Sequence, residues 1–411
     1  MTKMIRAGFV AIITLVVLLS ILPINKGLAA DNCSGITSKT RIWWDGAELK
    51  VGQIGRLTVL KNTDLYKLDG SKESFSRTLK AGETYRIYAF KPGKLSVGGG
   101  YFVDRDTKVK YETPSKAKLA QVACKKQAIE NEAKSISIGN SKSAVEQKLG
   151  APKRVALNEY GVQWHIYHQN YDRFYMIGYV DGRVAQVYSN DTSFYVHGVT
   201  KGSTKTEVKA SLGSPIKGIL KGNTNYLITN SDENETFYKN NQYITVFYDL
   251  HKQGKVTSIQ VVTAASEQAK PGRYGNQSST LQQAFEIELF DLTNAARVDN
   301  GLQPLKWSET ARVSSRNHSQ DMAFNHFFDH INLDGDSPFD RMKAAGIEYW
   351  TAGENIAMGY QSSIFAHEAL MNSLGHRKNI LHKDFTMLGI GVYFQSNTQR
   401  PYYTQNFYSP F

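Results

Sequence analysis

The stretches Ala352-Gly353-Glu354-Asn355-Ile356-Ala357 and Ser373-Leu374-Gly375-His376-Arg377-Lys378-Asn379-Ile380-Leu381 decide how the last quarter of this chain is read. A carboxylate in a Gly-Glu-Asn turn precedes a helix, and that helix runs into a Gly-His pair. Upstream, Phe327-Phe328-Asp329-His330 offers a second imidazole. Downstream, Leu388-Gly389-Ile390-Gly391-Val392 and Tyr402-Tyr403-Thr404-Gln405-Asn406-Phe407 read as strands that floor a cleft.

Working outward, helical periodicity begins at Leu281, with Phe285, Leu289 and Leu292 on one face and Asn294-Ala295-Ala296-Arg297 at the end. Gly301-Leu302-Gln303-Pro304-Leu305-Lys306-Trp307 turns into a second helix that Ser308 caps. Ser337-Pro338 opens a third, closed by Gly346, and a fourth runs from about Ile364 to Ser373. Helices on both sides of a small sheet are the economical arrangement.

Taken in order, Asn-x-x-Arg, Gly-Leu-x-Pro-Leu-x-Trp, an isolated His, Gly-Glu-Asn-Ile-Ala, Asn-Ser-x-Gly-His-Arg-x-Asn-Ile-Leu, Gly-Ile-Gly-Val and Tyr-Thr-Gln-Asn-Phe resemble the CAP superfamily of cysteine-rich secretory, antigen and pathogenesis-related proteins, in its bacterial form. The resemblance covers 281–411 and implies an α-β-α sandwich with a cleft lined by two His and two acids. His330, Glu354 and His376 carry over by motif. The family's second acid falls near the end of the helix before Gly-His, where this chain has Ser373; Glu368, about a turn and a half earlier, is the carboxylate that helix offers. Two neutral imidazoles in a cleft make a half-site for zinc, and Glu354 could ligate, orient an imidazole or act as a base on bound water. The competing reading is a hydrogen-bonded cluster tying helices to sheet. His318 and His326, among Phe324, Phe327 and Phe328, read as packing residues, although His326 and His330 are spaced to share a helix face.

The middle of the chain repeats itself. Gly139-Asn140-Ser141 to Leu149-Gly150-Ala151-Pro152 recurs as Gly202-Ser203-Thr204 to Leu212-Gly213-Ser214-Pro215. In each copy a Ser or Thr caps a two-turn helix, Gly takes an αL position past its end, and Pro stops it. Glu207 adds a capping box. Aromatic-rich strands follow, so 134–264 reads as two helix-plus-sheet units, similar to the domain that accompanies bacterial CAP domains. His165, His168 and His197 read as structural, and 265–280, with Pro271, Gly272 and Gly275, as a linker.

Residues 36–115 alternate apolar and polar side chains between turns such as Asp69-Gly70 and Gly98-Gly99-Gly100, the pattern of a small all-β barrel resembling SH3-like wall modules. Trp43, Trp44, Tyr85 and Tyr88 are either its core or a ligand-binding face. Pro114 to Lys134 reads as a short helix or linker. The expected fold class is thus α+β multidomain: an SH3-like β domain, a duplicated helix-plus-sheet domain and a CAP-type sandwich.

Before all of this, Lys3 and Arg6, an apolar run from Phe9 to Leu22 and Gly27-Leu28-Ala29-Ala30 make 1–30 a signal peptide, or else a retained anchor. Export suits Cys33 and Cys124: a bond between them would close a loop of about 90 residues, worth about 4–5 kcal/mol in the chain-entropy model; two free thiols are the alternative. The formal charge of +12 falls to +9 without Lys3, Arg6 and Lys26, which draws an exported protein to anionic polymers or lipid head groups. Teichoic acids or peptidoglycan of a Gram-positive wall are the expected partners; no motif supports nucleic acid. Lys and Arg are spread along the chain. The function expected is a secreted, wall-associated protein binding a lipid, glycan or peptide in its cleft. The alternatives are a metal-dependent hydrolase with Glu354 as the catalytic candidate, which lacks a Gly-x-Ser-x-Gly or His-Glu-x-x-His motif, and a structural protein of the envelope or spore.

Overall fold

The computed structural model describes residues 33, 35–37, 40–69 and 72–411. The segment 1–30 lies outside them, as does part of the Asp69-Gly70 turn. No helix among the described residues is long and apolar enough to cross a membrane.

The N-terminal domain has a two-stranded hairpin, Trp43–Trp44 with Ala47–Glu48, and two larger antiparallel sheets over one core. In the smaller of these two, Gly55–Val59 lies between Val109–Glu112 and Thr84–Ile87; the other runs Lys72–Leu79, Thr63–Asp69, Tyr101–Asp104, Lys94–Gly98, Ala89–Lys91. Alternation sends Leu57, Val59, Leu65, Leu79, Ile87, Leu95, Val103 and Val109 inward. Trp43 is exposed, Trp44 packs with Ile42, Leu49 and Val122, and Tyr85 is half-buried against the core. The aromatic residues therefore divide between core and surface. Helix α1 (Lys116–Lys134) follows, longer than a short connector, and Cys33 and Cys124 are joined in a disulfide with their Cα atoms 5.3 Å apart.

The two helix-plus-sheet units of the repeat build one continuous structure. Its strands form a seven-stranded antiparallel sheet, and the copies meet where Arg183–Ser189 pairs with Lys255–Thr263. Helices α2 (Lys142–Leu149) and α3 (Lys205–Leu212) begin at Ser141 and Thr204, whose side chains accept from Ala144 N and Glu207 N at 3.2 Å. Past their ends Gly150 and Gly213 take positive φ with extended ψ, not the αL conformation expected. One face of the sheet packs on these helices through Val145, Tyr175, Val208, Ile244 and Val261. The opposite face, with Trp164, Ile166, Phe174, Met176 and Phe247, packs on Leu292, Ala295 and Ile364 of the C-terminal domain. A sheet buried on both faces cannot alternate apolar with polar, which is why its strands read as near-continuous apolar runs.

The expected linker 265–280 is helical at both ends, and 270–278 is an irregular connection between them. Helix α4 (Ala264–Ala269) leads into a buried Lys270, whose ammonium lies 4.9 Å from the ring centre of Tyr160. At Gly275 a Cβ would collide with the backbone of Glu159, so only glycine lets the connection pass this close.

The C-terminal domain is three layers. Its sheet runs Lys306–Trp307, Met387–Phe394, Pro401–Ser409, Thr351–Met358, the first pair parallel and the rest antiparallel. On one side lie α5 (Ser279–Asp299), which contributes Phe285 and Leu289, α8 (Ser363–Asn372), which contributes Ala366 and Leu370, and α9 (Leu374–Ile380). On the other lie α6 (Glu309–Asn325) and α7 (Pro338–Ala344), which bury Ala311, Met322 and Met342 against Ile356, Tyr402 and Tyr408. The motif Gly389-Ile390-Gly391 explains how close α6 lies: a Cβ at either glycine would strike its backbone. Ser315 and Ser319 donate to Gly389 O at 3.1 Å and Gly391 O at 2.9 Å.

The Asn-x-x-Arg motif closes the domain. Asn294 exchanges two hydrogen bonds with the backbone of Leu305. Arg297, with 1% of its surface exposed, donates to the carbonyls of Gln303, Ile380, His382 and Phe385 at 2.8–3.3 Å. Replacing it by Met would leave those carbonyls unpaired, at a cost on the order of 3–5 kcal/mol. Arg297→Met is expected to lower the melting temperature by roughly 10 °C, with Arg297→Lys recovering only part because one ammonium cannot span the carbonyls of several segments. A variant melting with the wild type would refute this role.

Candidate functional site

Thr351–Met358 is the edge strand of its sheet, and Glu354 lies on it, in a strand and not in the turn its Gly-Glu-Asn composition suggested. Alternation directs Ile356 and Met358 toward the α6 layer and Ala357 toward α5 and α8, so Glu354 shares the α6 side. There both of its oxygens are engaged. Oε1 accepts from His330 Nδ1 at 2.9 Å, and Oε2 accepts from Arg341 Nη2 at 2.8 Å. Arg341 also donates through Nη1 to the carbonyls of His330 and Asp336, each at 2.8 Å, which pins the loop carrying the imidazole. The carboxylate is buried, with 1% of its side chain exposed, while 45% of His330 remains open. Because a carboxylate accepts only, Nδ1 carries a proton in this pair, and whenever the ring is neutral Nε2 keeps its lone pair.

His376 comes from the opposite layer. It sits on α9, which Asn355 and Asn379 fasten to the edge strand: Asn355 Nδ2 donates to His376 O at 3.1 Å, and Asn379 Nδ2 donates to Glu354 O at 3.1 Å and Asn355 Oδ1 at 2.9 Å. Gln405, bound to Asn355 and Thr293, extends this network across the sheet. Burial lowers the pKa of His376, and the charge of nearby His330 lowers it further. His330, Glu354 and His376 are thus gathered around one open sheet edge. Arg341 is the member that sequence reasoning missed. Its helix was legible from Ser337-Pro338, but nothing in the pattern announced an arginine reaching across to a strand.

Glu368 does not belong here. It lies on the face of α8 turned to the seven-stranded sheet, where Oε1 accepts from Tyr188 Oη at 2.7 Å and from Ser258 Oγ. Extrapolating helical spacing from Gly-His failed because Ser373 separates two helices, α8 and α9. Nor do His326 and His330 share a helix face: His326 caps α6 in the left-handed conformation and contacts Gln395 at 2.8 Å. His318 is buried, bonds Asp329 O at 3.0 Å and packs on Phe327. Among the described residues no group of three or more His, Cys, Asp or Glu is arranged to hold a metal ion; what the site supplies is a pair of imidazoles, one of them braced by a carboxylate.

Burial pushes the Glu368 carboxyl up to about 7, against a 4.5 reference. The folded state then holds a proton that the unfolded state releases, so this contribution is present below about 4.5 and lost as pH rises through about 7. His367 beside it, lowered to about 3, acts in the opposite sense, so the comparison must be with a variant. Relative to Glu368→Gln, wild-type stability is expected to fall by on the order of 1–3 kcal/mol between those pH values, read from denaturant melts at each pH. A flat difference would exclude the buried proton. For the cleft, His330→Asn should raise the titration midpoint of His376, measured by NMR, while leaving it below the usual value because burial remains; an unchanged midpoint would mean that the imidazoles do not interact.

Comparison with known proteins matches residues 138–272 to the CAP-associated N-terminal family and 290–407 to the cysteine-rich secretory protein family. The chain is 30% identical over 290 residues to the Bacillus subtilis protein named "Uncharacterized membrane protein YlbC", which spans 66% of this chain and 82% of that one. It is 50% identical over 108 residues to B. subtilis YkwD, 26% of this chain and 42% of that one. Among solved structures, an extracellular SCP-domain protein from Bacillus anthracis superposes with TM-score 0.57 at 24% identity, covering 66% of this chain and 93% of its own. A cysteine-rich secretory protein from Staphylococcus aureus gives 0.54 at 19%, covering 66% and 91%. These two structures share the fold.

Proposed function

Since the chain belongs to the cysteine-rich secretory protein (CAP) family and carries the CAP-associated domain ahead of it, we propose that it is an exported, envelope-associated binding protein whose cleft at His330, Glu354 and His376 receives a lipid, glycan or peptide. The observation that carries this reading is the double engagement of Glu354. A carboxylate tied by one oxygen to His330 and by the other to Arg341 braces a recess, joining the edge strand to the His330 loop and to α7. The exposed apolar side chains Ile331, Leu333 and Leu374, each within three residues of a cleft histidine, provide contact surface for a ligand.

A metal-dependent hydrolase is the second reading, favoured by the carboxylate–imidazole pair. Carboxylates that bond Nδ1 of a histidine commonly hold its other nitrogen toward a metal. His330 through Nε2 and His376 would hold zinc, with Glu354 outside the coordination sphere, and zinc would supply an activated water.

Two measurements on the intact protein separate these readings. Calorimetric zinc titration should give about one equivalent at a pair of imidazoles, lost in His330→Ala/His376→Ala, if the metal is resident. Peptidoglycan fragments, glycan strands and envelope lipids are then offered to wild type and Glu354→Gln, and retained material and products are read by mass spectrometry. Binding predicts retention by the wild type with no new product. A cleavage product formed by the wild type and not by Glu354→Gln would establish the hydrolase; retention of none of the three classes would sink the binding reading.

A further inference from the structure

In number the cations are spread along the chain, but the net charge is not. Residues 31–134 hold 20 Lys and Arg against 12 Asp and Glu, whereas residues 135–411 hold 26 against 25. The positive surplus therefore belongs to the N-terminal domain and α1.

Within that domain the three-stranded sheet brings cations into register. Leu57, Val59, Ile87 and Val109 face the core, so Arg56, Thr58, Thr84, Arg86, Lys110 and Glu112 face outward. Arg56 lies directly opposite Glu112 on one neighbour and Arg86 on the other; Thr58 lies between Lys110 and Thr84. The Arg56 guanidinium is already committed, paired with Asp45 and Glu112 and placed over the Trp44 ring. Arg86 is different. It is exposed, and no ion pair or hydrogen bond engages its side chain among the described residues. Like charges directly opposite on a sheet, with Cβ atoms about 5 Å apart, are destabilising; at Arg56 the Asp45 and Glu112 carboxylates offset that repulsion, and Arg86 keeps its own donors open.

We propose that this outer face is a docking surface for a linear polyanion whose charges are phosphates, the polyol-phosphate class of envelope polymer. The proposal deepens the reading of the protein as exported and envelope-associated, and rests on it. Arg86 offers the two-pronged donor geometry that phosphate accepts; Lys110, exposed and paired with Glu112 at 3.0 Å, adds a cation across the sheet once it exchanges that carboxylate for phosphate; and Thr58 and Thr84 set hydroxyls between them. Strands lie about 4.8 Å apart and alternate residues along a strand about 6.8 Å apart, so these groups form a grid on the scale of successive repeats of such a polymer. Hydroxyls between the cations suit a hydrophilic chain better than the surface of a bilayer.

The test sediments the full-length chain with wall sacculi that retain their phosphate polymer, with sacculi stripped of phosphate, and with phosphatidylglycerol vesicles. Capture is expected on the phosphate-bearing sacculi and should be released by salt near ~0.5 M. Arg86→Gln/Lys110→Gln should bind about tenfold more weakly with its melting temperature unchanged, while a control pair outside the domain, Lys343→Gln/Lys378→Gln, binds as wild type. Equal capture of the Arg86/Lys110 variant, equal loss in the control pair, or equal capture on stripped sacculi would each overturn the proposal. Preference for vesicles would overturn it in favour of a lipid surface. If the wild type is captured by no sacculus, the envelope reading itself falls; if it is captured and the Arg86/Lys110 variant is captured equally well, only this surface does.

Discussion

A guanidinium buried without a carboxylate holds the C-terminal domain together. Arg297, at the end of α5, gives its donors to backbone carbonyls of the 303 turn, the end of α9 and the loop entering Met387–Phe394. Burial lowers its pKa to about 10, which leaves it a cation at neutral pH, so its charge must be met by oriented dipoles. Because its partners are main chain, no substitution of a neighbouring side chain can replace them. The position of α9 follows from this contact, and the position of His376 follows from α9.

The cleft is in turn an edge phenomenon. An edge strand has a free side, and here imidazoles reach around it from both helical layers while Glu354 stays within the sheet. Arg341 does for His330 what Asn355 and Asn379 do for His376: each fixes the backbone that carries the ring. The histidines are exposed enough to meet a ligand only because the residues behind them are buried and bonded.

Much of this was legible in the sequence where the signal is local. Ser308, Ser337 and Thr204 announced their helices, and Gly389-Ile390-Gly391 and Gly-Glu-Asn marked the places where backbone and site come closest. What failed depended on tertiary neighbours. Glu354 looked like part of a turn because glycine and asparagine flank it, yet pairing with Pro401–Ser409 makes the segment a strand. Glu368 looked like a cleft residue because a helix can be extrapolated along its own axis but not past a break at Ser373. The 265–280 segment has the composition of a linker, and only the fold reveals that Lys270 is buried beneath it. The even spacing of Lys and Arg hid the charge asymmetry, because the acids carry that information.

The seven-stranded sheet has a further consequence. Its second face is covered by α5 and α8, and the seam is crossed by Arg377 to Asp249 at 3.0 Å, by Arg154 to Asp291 at 2.9 Å, and by the Glu368 contacts. Two families divide this region, but the packing runs across their boundary. Separating them would expose Trp164, Phe174 and Leu292 together and strand charges whose partners lie across the boundary. The boundary between the two families is thus a boundary of inheritance and not of packing, because one apolar core and its ion pairs lie across it.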